Sequence, residues 1–268
     1  MEAGAARTVR ARLRSLTVSP TTFTWLASAA LAALYLIVVS GATVRLTGSG
    51  LGCENWPRCG DTFLPPKDYH AVVEFGNRAV GFVVGLTTLA AAAAAFRVGR
   101  LPRWLLWSAV ALPFTVLAQG ILGGITVLLE LHPLIVMGHF LLSLAALAVG
   151  IVVVLGARGV RTEATGVGWL ALALVPSALA MVVTGTLVTA AGPHSGGEEI
   201  PRFGSLIDAL HLHIGATAAF GVAFLTLVVA LLLQRRRALP ELLLAGGVLA
   251  LLVAQMAIGE TQWRSGLP

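Results

Sequence analysis

Polar and ionisable side chains interrupt otherwise apolar stretches at three places in this sequence. The three groups are Glu74 with Asn77 and Arg78, His139 alone, and Asp208 with His211 and His213. Ionisable groups inside apolar spans are costly and mark functional sites by default. We therefore take these residues as the candidates for chemistry.

Histidines on facing helices of a bundle suit haem, because imidazoles bind the iron axially while apolar side chains hold the macrocycle. Zinc fits less well, since it takes three or four close ligands. A proton-relay transporter that uses Glu74, Asp208 and histidine is the alternative from another class. His211 and His213 point to different helix faces, so we expect at most one of them to face the bundle core.

Glu74 and Asn77 are three residues apart and share a helix face. Two arginines, Arg45 and Arg78, border the same region. Their side chains either extend to lipid headgroups or bind an anionic group such as a propionate.

Composition identifies the elements that must position these groups. The chain has 268 residues, of which 57% are hydrophobic and 11% charged, whereas soluble domains carry about 25% charged residues. Seven apolar stretches reach the roughly 20 residues that cross a bilayer, namely 23–44, 71–95, 104–128, 133–156, 167–190, 206–233 and 240–259. We predict an all-α, polytopic membrane helix bundle.

Basic residues cluster on one side of the predicted spans: Arg7, Arg10, Arg12, Arg14, Arg97, Arg100, Arg103, Arg158, Arg161, Arg235, Arg236 and Arg237. The positive-inside rule makes that side cytoplasmic. Residues 1–22 then form a cytoplasmic tail, and the candidate groups lie toward the outer face of a bacterial cell membrane. The net charge of +6 follows from this topology and does not indicate nucleic-acid binding.

Both cysteines, Cys53 and Cys59, fall in the first outer loop, residues 45–69. The outer side of a bacterial membrane is oxidising, so we expect a disulfide. The alternative is a redox-active thiol pair.

The chain also repeats itself. Gln119 in span three and Gln255 in span seven are each followed by Gly four residues later. This indicates two parallel four-helix repeats related by a pseudo-twofold axis along the membrane normal, residues 23–156 and 167–268. By the repeat, the last two residues should open span eight, so we expect the eighth helix to be missing from this chain.

Four motifs resemble the haem A synthase family. They are Gly48-Ser-Gly-Leu-Gly-Cys-Glu-Asn-Trp-Pro-Arg-Cys59, Glu74-Phe-Gly-Asn-Arg78, His139-Phe-Leu-Leu-Ser143, and Ala191-Gly-Pro-His-Ser-Gly196 followed by Asp208-x-x-His211. The second is similar to the family's Glu-x-x-His-Arg motif. The resemblance extends from about residue 25 to the end of the chain.

The resemblance implies an eight-span fold with one haem pocket per half. It implies oxidation of the C8 methyl of haem O to the formyl of haem A by successive hydroxylations with oxygen from water, in support of cytochrome oxidase assembly. The first pocket would bind haem O with Glu74 essential for chemistry, and the second would hold a haem b that passes electrons. Cys53 and Cys59 would bear on activity or loop structure.

The partners expected from the resemblance are a haem O synthase and an electron acceptor, within membrane lipid, with a homo-oligomer left open. The alternatives to this enzyme are a haem b-binding electron-transfer protein and a proton-coupled transporter.

The sequence departs from the family motif at Asn77, which stands where a ligand histidine is usual. An amide is a poor haem ligand, so the substrate iron would be held by His139 alone, or by a water that Asn77 holds. One open axial position would suit a transient substrate.

Two residues, His211 and His213, are candidates for the iron-binding histidine of the second half. Asp208-x-x-His211 echoes Glu74-x-x-Asn77, which favours His211, whereas the glutamine repeat pairs Asn77 with His213. We predict His139 and His211 as iron ligands. The further haem-contacting candidates are Asn77, Arg78, Arg45 and His213.

Overall fold

A computed structural model describes residues 17–53, 55–160, 168–192, 200, 202–234 and 238–265. Seven α-helices occur in this part of the chain, each long and apolar enough to cross a membrane. They are α1 (Pro20–Leu46), α2 (Tyr69–Ala95), α3 (Arg103–Leu128), α4 (Pro133–Ala157), α5 (Gly168–Ala191), α6 (Leu206–Leu233) and α7 (Leu239–Arg264). The predicted all-α polytopic bundle is confirmed.

Local sequence signals begin the helices that carry the candidate groups. Asp68 accepts a hydrogen bond from the N–H of Ala71 at 3.0 Å and so caps the start of α2. Pro133 occupies the first turn of α4, where its fixed φ and missing N–H cost nothing. These starts place Glu74 and His139 one to two turns inside their helices.

The first compact unit contains α1 to α4. Its helices form a closed ring, because α1 and α3 each pack against both α2 and α4. The remaining pair, α2 and α4, therefore face each other across the diagonal. The main apolar core of the unit consists of Phe23, Ala27, Ala33, Leu34, Val84, Ala94, Ala95, Leu105, Ala109, Leu112, Ala146, Val153 and Val154.

That core fills only one half of the unit's length. Each of the four helices contains one uninterrupted stretch without a buried residue, namely 35–46, 75–83, 113–123 and 134–145. Since neighbouring helices run in opposite directions, all four stretches lie at the same level of the ring. Protein interiors are normally close-packed, so the side chains at this level are less enclosed than those of the core.

The end of the ring away from that level carries basic residues. Arg97 and Arg158 follow α2 and α4, and Arg103 begins α3. The N–H of Val18 donates to the carbonyl of Arg97 at 3.0 Å, which joins the start of α1 to the end of α2. That this end faces the cytoplasm stays a prediction, and most of the tail, together with Arg161 and 235–237, lies outside the described residues.

The second compact unit contains α5, α6 and α7. Helix α5 packs along α6, and α7 contacts α6. Phe220 and Phe224 stack with ring centroids 6.0 Å apart and form a small core with Ala245. Most of α7 is exposed.

Candidate functional site

Glu74 is a buried carboxylate held by two donors. Its residue is only 4% exposed. Oε2 accepts the backbone N–H of Cys53 at 2.7 Å, and Oε1 forms an ion pair with Arg78 Nη2 at 2.5 Å. Hydrogen bonds to a charged group are among the stronger kind. The carboxylate is therefore fixed in position between α2 and the outer loop.

Arg78 also connects helix α2 to that loop. Its Nη1 donates to the carbonyls of Asn55 at 3.2 Å and Arg58 at 2.9 Å. Its Nη2 donates to Asn55 at 3.2 Å in addition to pairing with Glu74. Both terminal nitrogens thus bind protein groups, and a contact of Arg78 with a propionate stays a prediction.

The two cysteines of the outer loop form a disulfide, as predicted. Both are buried, at 0% and 3% exposure. The neighbouring Gly52 lies so close to the backbone of His70 that a Cβ at Gly52 would overlap the His70 carbonyl. Only glycine permits this approach, which brings the Cys53 N–H onto Glu74.

Two adjacent glycines of α3 receive aromatic rings from two other elements. A Cβ at Gly124 would lie 2.6 Å from Cδ2 of Trp56, so the loop tryptophan packs directly on this helix. A Cβ at Gly123 would lie 3.2 Å from Cε1 of His139. The loop and the α4 histidine therefore contact consecutive residues of α3.

His139 lies within the level of the ring that the core leaves open. Gln119 Nε2 donates to the His139 carbonyl at 2.8 Å and to Ser143 Oγ at 2.5 Å, which fixes α4 against α3. The Nδ1 of the His139 ring is buried and has no hydrogen-bonding partner among the described residues. Buried polar atoms are usually paired, so this nitrogen is an exception, and the role of His139 as an iron ligand stays a prediction.

Asn77 lies at the same level on the diagonally opposed helix. It is half-buried, and its Oδ1 accepts a hydrogen bond from Ser40 Oγ at 2.7 Å. A Cβ at Gly41 would lie 3.8 Å from that Oδ1. The amide is thus held by α1.

In the second unit, a histidine makes the contact that corresponds to that of Asn77. Thr184 Oγ1 lies 3.1 Å from His213 Nδ1, and a Cβ at Gly185 would lie 3.2 Å from His213 Cε1. His213 is half-buried, whereas His211 is exposed. Of the two histidines, His213 is the one that contacts α5, as Asn77 contacts α1, whereas His211, which the sequence analysis preferred, is exposed; which of them binds iron stays a prediction.

The remaining candidates lie at the borders of these groups. Arg45 is partly buried in the last turn of α1, and Asp208 is exposed in the first turn of α6. In the described part of the chain, no three His, Cys, Asp or Glu side chains lie close enough to hold a bare metal ion.

A haem macrocycle fits the first unit on three observations. The ring of helices leaves one level without buried side chains, Gly123 and Gly41 replace side chains there, and His139 presents a buried, unpartnered ring nitrogen. An apolar enclosure with an axial imidazole is the arrangement by which proteins hold haem.

Three residues make contacts at the site that were not predicted from the sequence: Ser40, Gln119 and Trp56. Ser40 could have been found, because Ser40-Gly41 in span one matches Thr184-Gly185 in span five. The pairing of Glu74 with Arg78 also has a signal, since the two are four residues apart on a helix.

Comparison with known proteins gives a consistent result. Residues 24–72 match a family described as cytochrome oxidase assembly protein. The chain is 32% identical to the heme A synthase of Symbiobacterium thermophilum over 253 residues, which is 85% of this chain and 81% of that protein. It is 31% identical to the heme A synthase of Geobacillus thermodenitrificans over 135 residues, 50% of this chain and 43% of that protein.

A shorter match joins the chain to another enzyme. It is 34% identical to the protoheme IX farnesyltransferase of Halobacterium salinarum over 79 residues, 30% of this chain and 17% of that protein. No solved structure gives a significant match.

Proposed function

This chain belongs to the haem A synthase family, and we propose that it is a multi-pass membrane oxidoreductase that converts haem O to haem A for cytochrome oxidase assembly. The observation that carries the proposal is the 32% identity to a heme A synthase over 85% of the chain. The buried carboxylate of Glu74, held by two donors in the same unit as His139, supports it.

The reaction needs a base and an electron acceptor. Converting a methyl to a formyl group consumes one water molecule and releases four protons and four electrons. The electrons leave to an acceptor, and the protons must pass through a polar group near the reacting carbon. Glu74 is the buried carboxylate of the first unit, so it accepts the proton of the attacking water and passes it outward.

Glu74 is suited to this task by its surroundings. The Cys53 N–H and the Arg78 guanidinium each bind one of its two oxygens, so the carboxylate is held in one orientation before the proton arrives. Both donors belong to the contact between α2 and the disulfide loop. Burial of Glu74, which is 4% exposed, also limits access of bulk water to the carboxylate.

The remaining roles follow from position. His139 holds the iron of the substrate haem O in the first unit, and Arg45 and Arg78 are the candidate partners of its propionates. In the second unit, His213 would hold a haem b, which would supply electron transfer. A bacterial cell membrane, a cytoplasmic N-terminus and a haem O synthase partner complete the proposal.

Haem extraction from a producing host tests the function. The chain is expressed in bacteria that make haem O but no haem A, and extracted haems are separated by reversed-phase chromatography. The active chain yields a haem A peak. Glu74→Gln should keep bound haem but lose that peak, because an amide cannot accept the proton.

A matched control exists in α7. Glu260 forms an ion pair with Arg264 at 2.6 Å with the same four-residue spacing, but both side chains are exposed. Glu260→Gln should leave haem A yield unchanged. Normal haem A yield from Glu74→Gln would refute its role. A purified protein with haem b alone and no Glu74 dependence would instead be an electron-transfer cytochrome, and a colourless protein would favour a transporter.

A further inference from the structure

We propose that the first unit binds haem iron through His139 alone and that Asn77, held by Ser40, forms a hydrogen-bonding site for a small exogenous ligand on the opposite side. The chemical class of ligand is a diatomic molecule or small anion, with carbon monoxide and cyanide as probes. This inference rests on the haem site of the proposed function and names the ligand chemistry of its open side.

The same contact between two helices occurs in both units, but the polar side chain in it differs. In the first, the hydroxyl of Ser40 bonds to Asn77 beside Gly41. In the second, the hydroxyl of Thr184 bonds to His213 beside Gly185. A hydroxyl, a following glycine and a polar side chain on the next helix recur in the same order. One position therefore holds an imidazole in one unit and an amide in the other.

The amide changes what this position can do. An imidazole nitrogen is a strong iron ligand, whereas an amide nitrogen carries two hydrogens and acts only as a donor. Ser40 Oγ lies 3.1 Å from the Ile37 carbonyl and at the shorter distance of 2.7 Å from Oδ1 of Asn77. With the hydroxyl donating to Oδ1, the Nδ2 group is left as the donor of this amide. A diatomic ligand or an anion accepts such a hydrogen bond.

Asn77 and His139 stand on opposite sides of the open level. Their helices α2 and α4 face each other across the diagonal of the ring. Both residues fall in the stretches without buried side chains, 75–83 and 134–145. A planar group between them would meet an imidazole on one face and an amide donor on the other.

Ligand binding by the purified full chain tests the inference. All variants carry His213→Ala, so that haem in the second unit does not contribute, and are loaded with haem b. Carbon monoxide is titrated into the reduced protein and cyanide into the oxidised protein by visible absorption. The His213→Ala protein should bind both and show a five-coordinate, high-spin spectrum before ligand addition.

Asn77→His should convert this spectrum to six-coordinate low-spin and weaken carbon monoxide binding by at least about tenfold, because the new imidazole must be displaced. Val72→His is the control, since Val72 lies on the exposed side of the same helix, and it should change neither property. Ser40→Ala should release cyanide about fivefold faster, the effect of weakening one hydrogen bond.

Three outcomes would overturn the proposal. The first is a His213→Ala protein, with Asn77 intact, that has a low-spin spectrum and does not bind carbon monoxide. The second is a His213→Ala protein that does not hold haem. The third is an equal effect of Asn77→His and Val72→His. Unchanged cyanide release in Ser40→Ala would overturn the assignment of Nδ2 as donor. Haem A yield is measured separately, so a chain that makes haem A without binding these ligands refutes this inference and leaves the proposed function standing.

Discussion

The ion pair between Glu74 and Arg78 gives the sharpest quantitative prediction. Arg78 pairs with a carboxylate that is 4% exposed and also binds the carbonyls of Asn55 and Arg58. Arg78→Gln removes these charged contacts, and Glu74 then keeps the hydrogen bond from the backbone N–H of Cys53. The loop should then loosen from α2, and the protein should unfold at a lower temperature.

The size of the effect follows from burial. Removing one partner of a buried ion pair costs about 3–5 kcal/mol, and the 19% exposure of the Arg78 side chain places this case near the lower end. Glu74→Gln leaves a neutral acceptor for the Cys53 N–H, so we expect about 1–2 kcal/mol. The double substitution buries no charge, so the two effects should not add, and the coupling energy should be about 2 kcal/mol.

The assay is thermal unfolding in detergent at a fixed scan rate, followed by tryptophan fluorescence. For chains of this size, about 1 kcal/mol corresponds to roughly 2–4 °C, so a loss of about 3 kcal/mol in Arg78→Gln should lower the midpoint by about 6–12 °C. The exposed pair Glu260 and Arg264 provides a control cycle of identical spacing. Its coupling should stay below about 1 kcal/mol, as for surface pairs.

Additive effects of Glu74→Gln and Arg78→Gln would refute this reasoning, as would equal coupling in the two cycles. Either result would mean that Arg78 does not hold the buried carboxylate in place.

Two further predictions concern contacts that only the structure shows. Gly124→Ala should displace Trp56 from α3 and increase its quenching by iodide, whereas Gly120→Ala, with nothing within 4 Å of its Cβ, should leave quenching unchanged; equal quenching in the two variants would contradict the contact. His213→Ala should remove the haem b of the second unit from the absorption spectrum while His211→Ala retains it, and the reverse result would restore the assignment based on the Asp208 motif.

The helices were predictable because their signals are local. Runs of apolar residues long enough to cross a bilayer must form helices there, since every backbone polar group has to be satisfied within the segment. Each predicted span coincides with a helix to within a few residues. The disulfide was also predictable, because Cys53 and Cys59 share one loop and have no other cysteine to pair with.

The sequence identified candidate site residues but not their contacts. Glu74, Asn77 and His139 were identified from the sequence as polar residues in apolar spans. Which groups they touch was not, because those groups lie on other elements. Ser40 belongs to α1, Gln119 to α3 and the Cys53 N–H to the loop.

The choice between His211 and His213 shows this division most clearly. The sequence established that the two rings point to different faces of one helix, and no more, because periodicity gives relative directions only. The direction of the core is set by how α6 packs against α5, and that packing places His213 beside Thr184 and Gly185. The sequence by itself thus determined the spans, the polar groups within them and the disulfide, whereas tertiary structure decided which side chains meet, because helix rotation and the path of a loop are properties of packing.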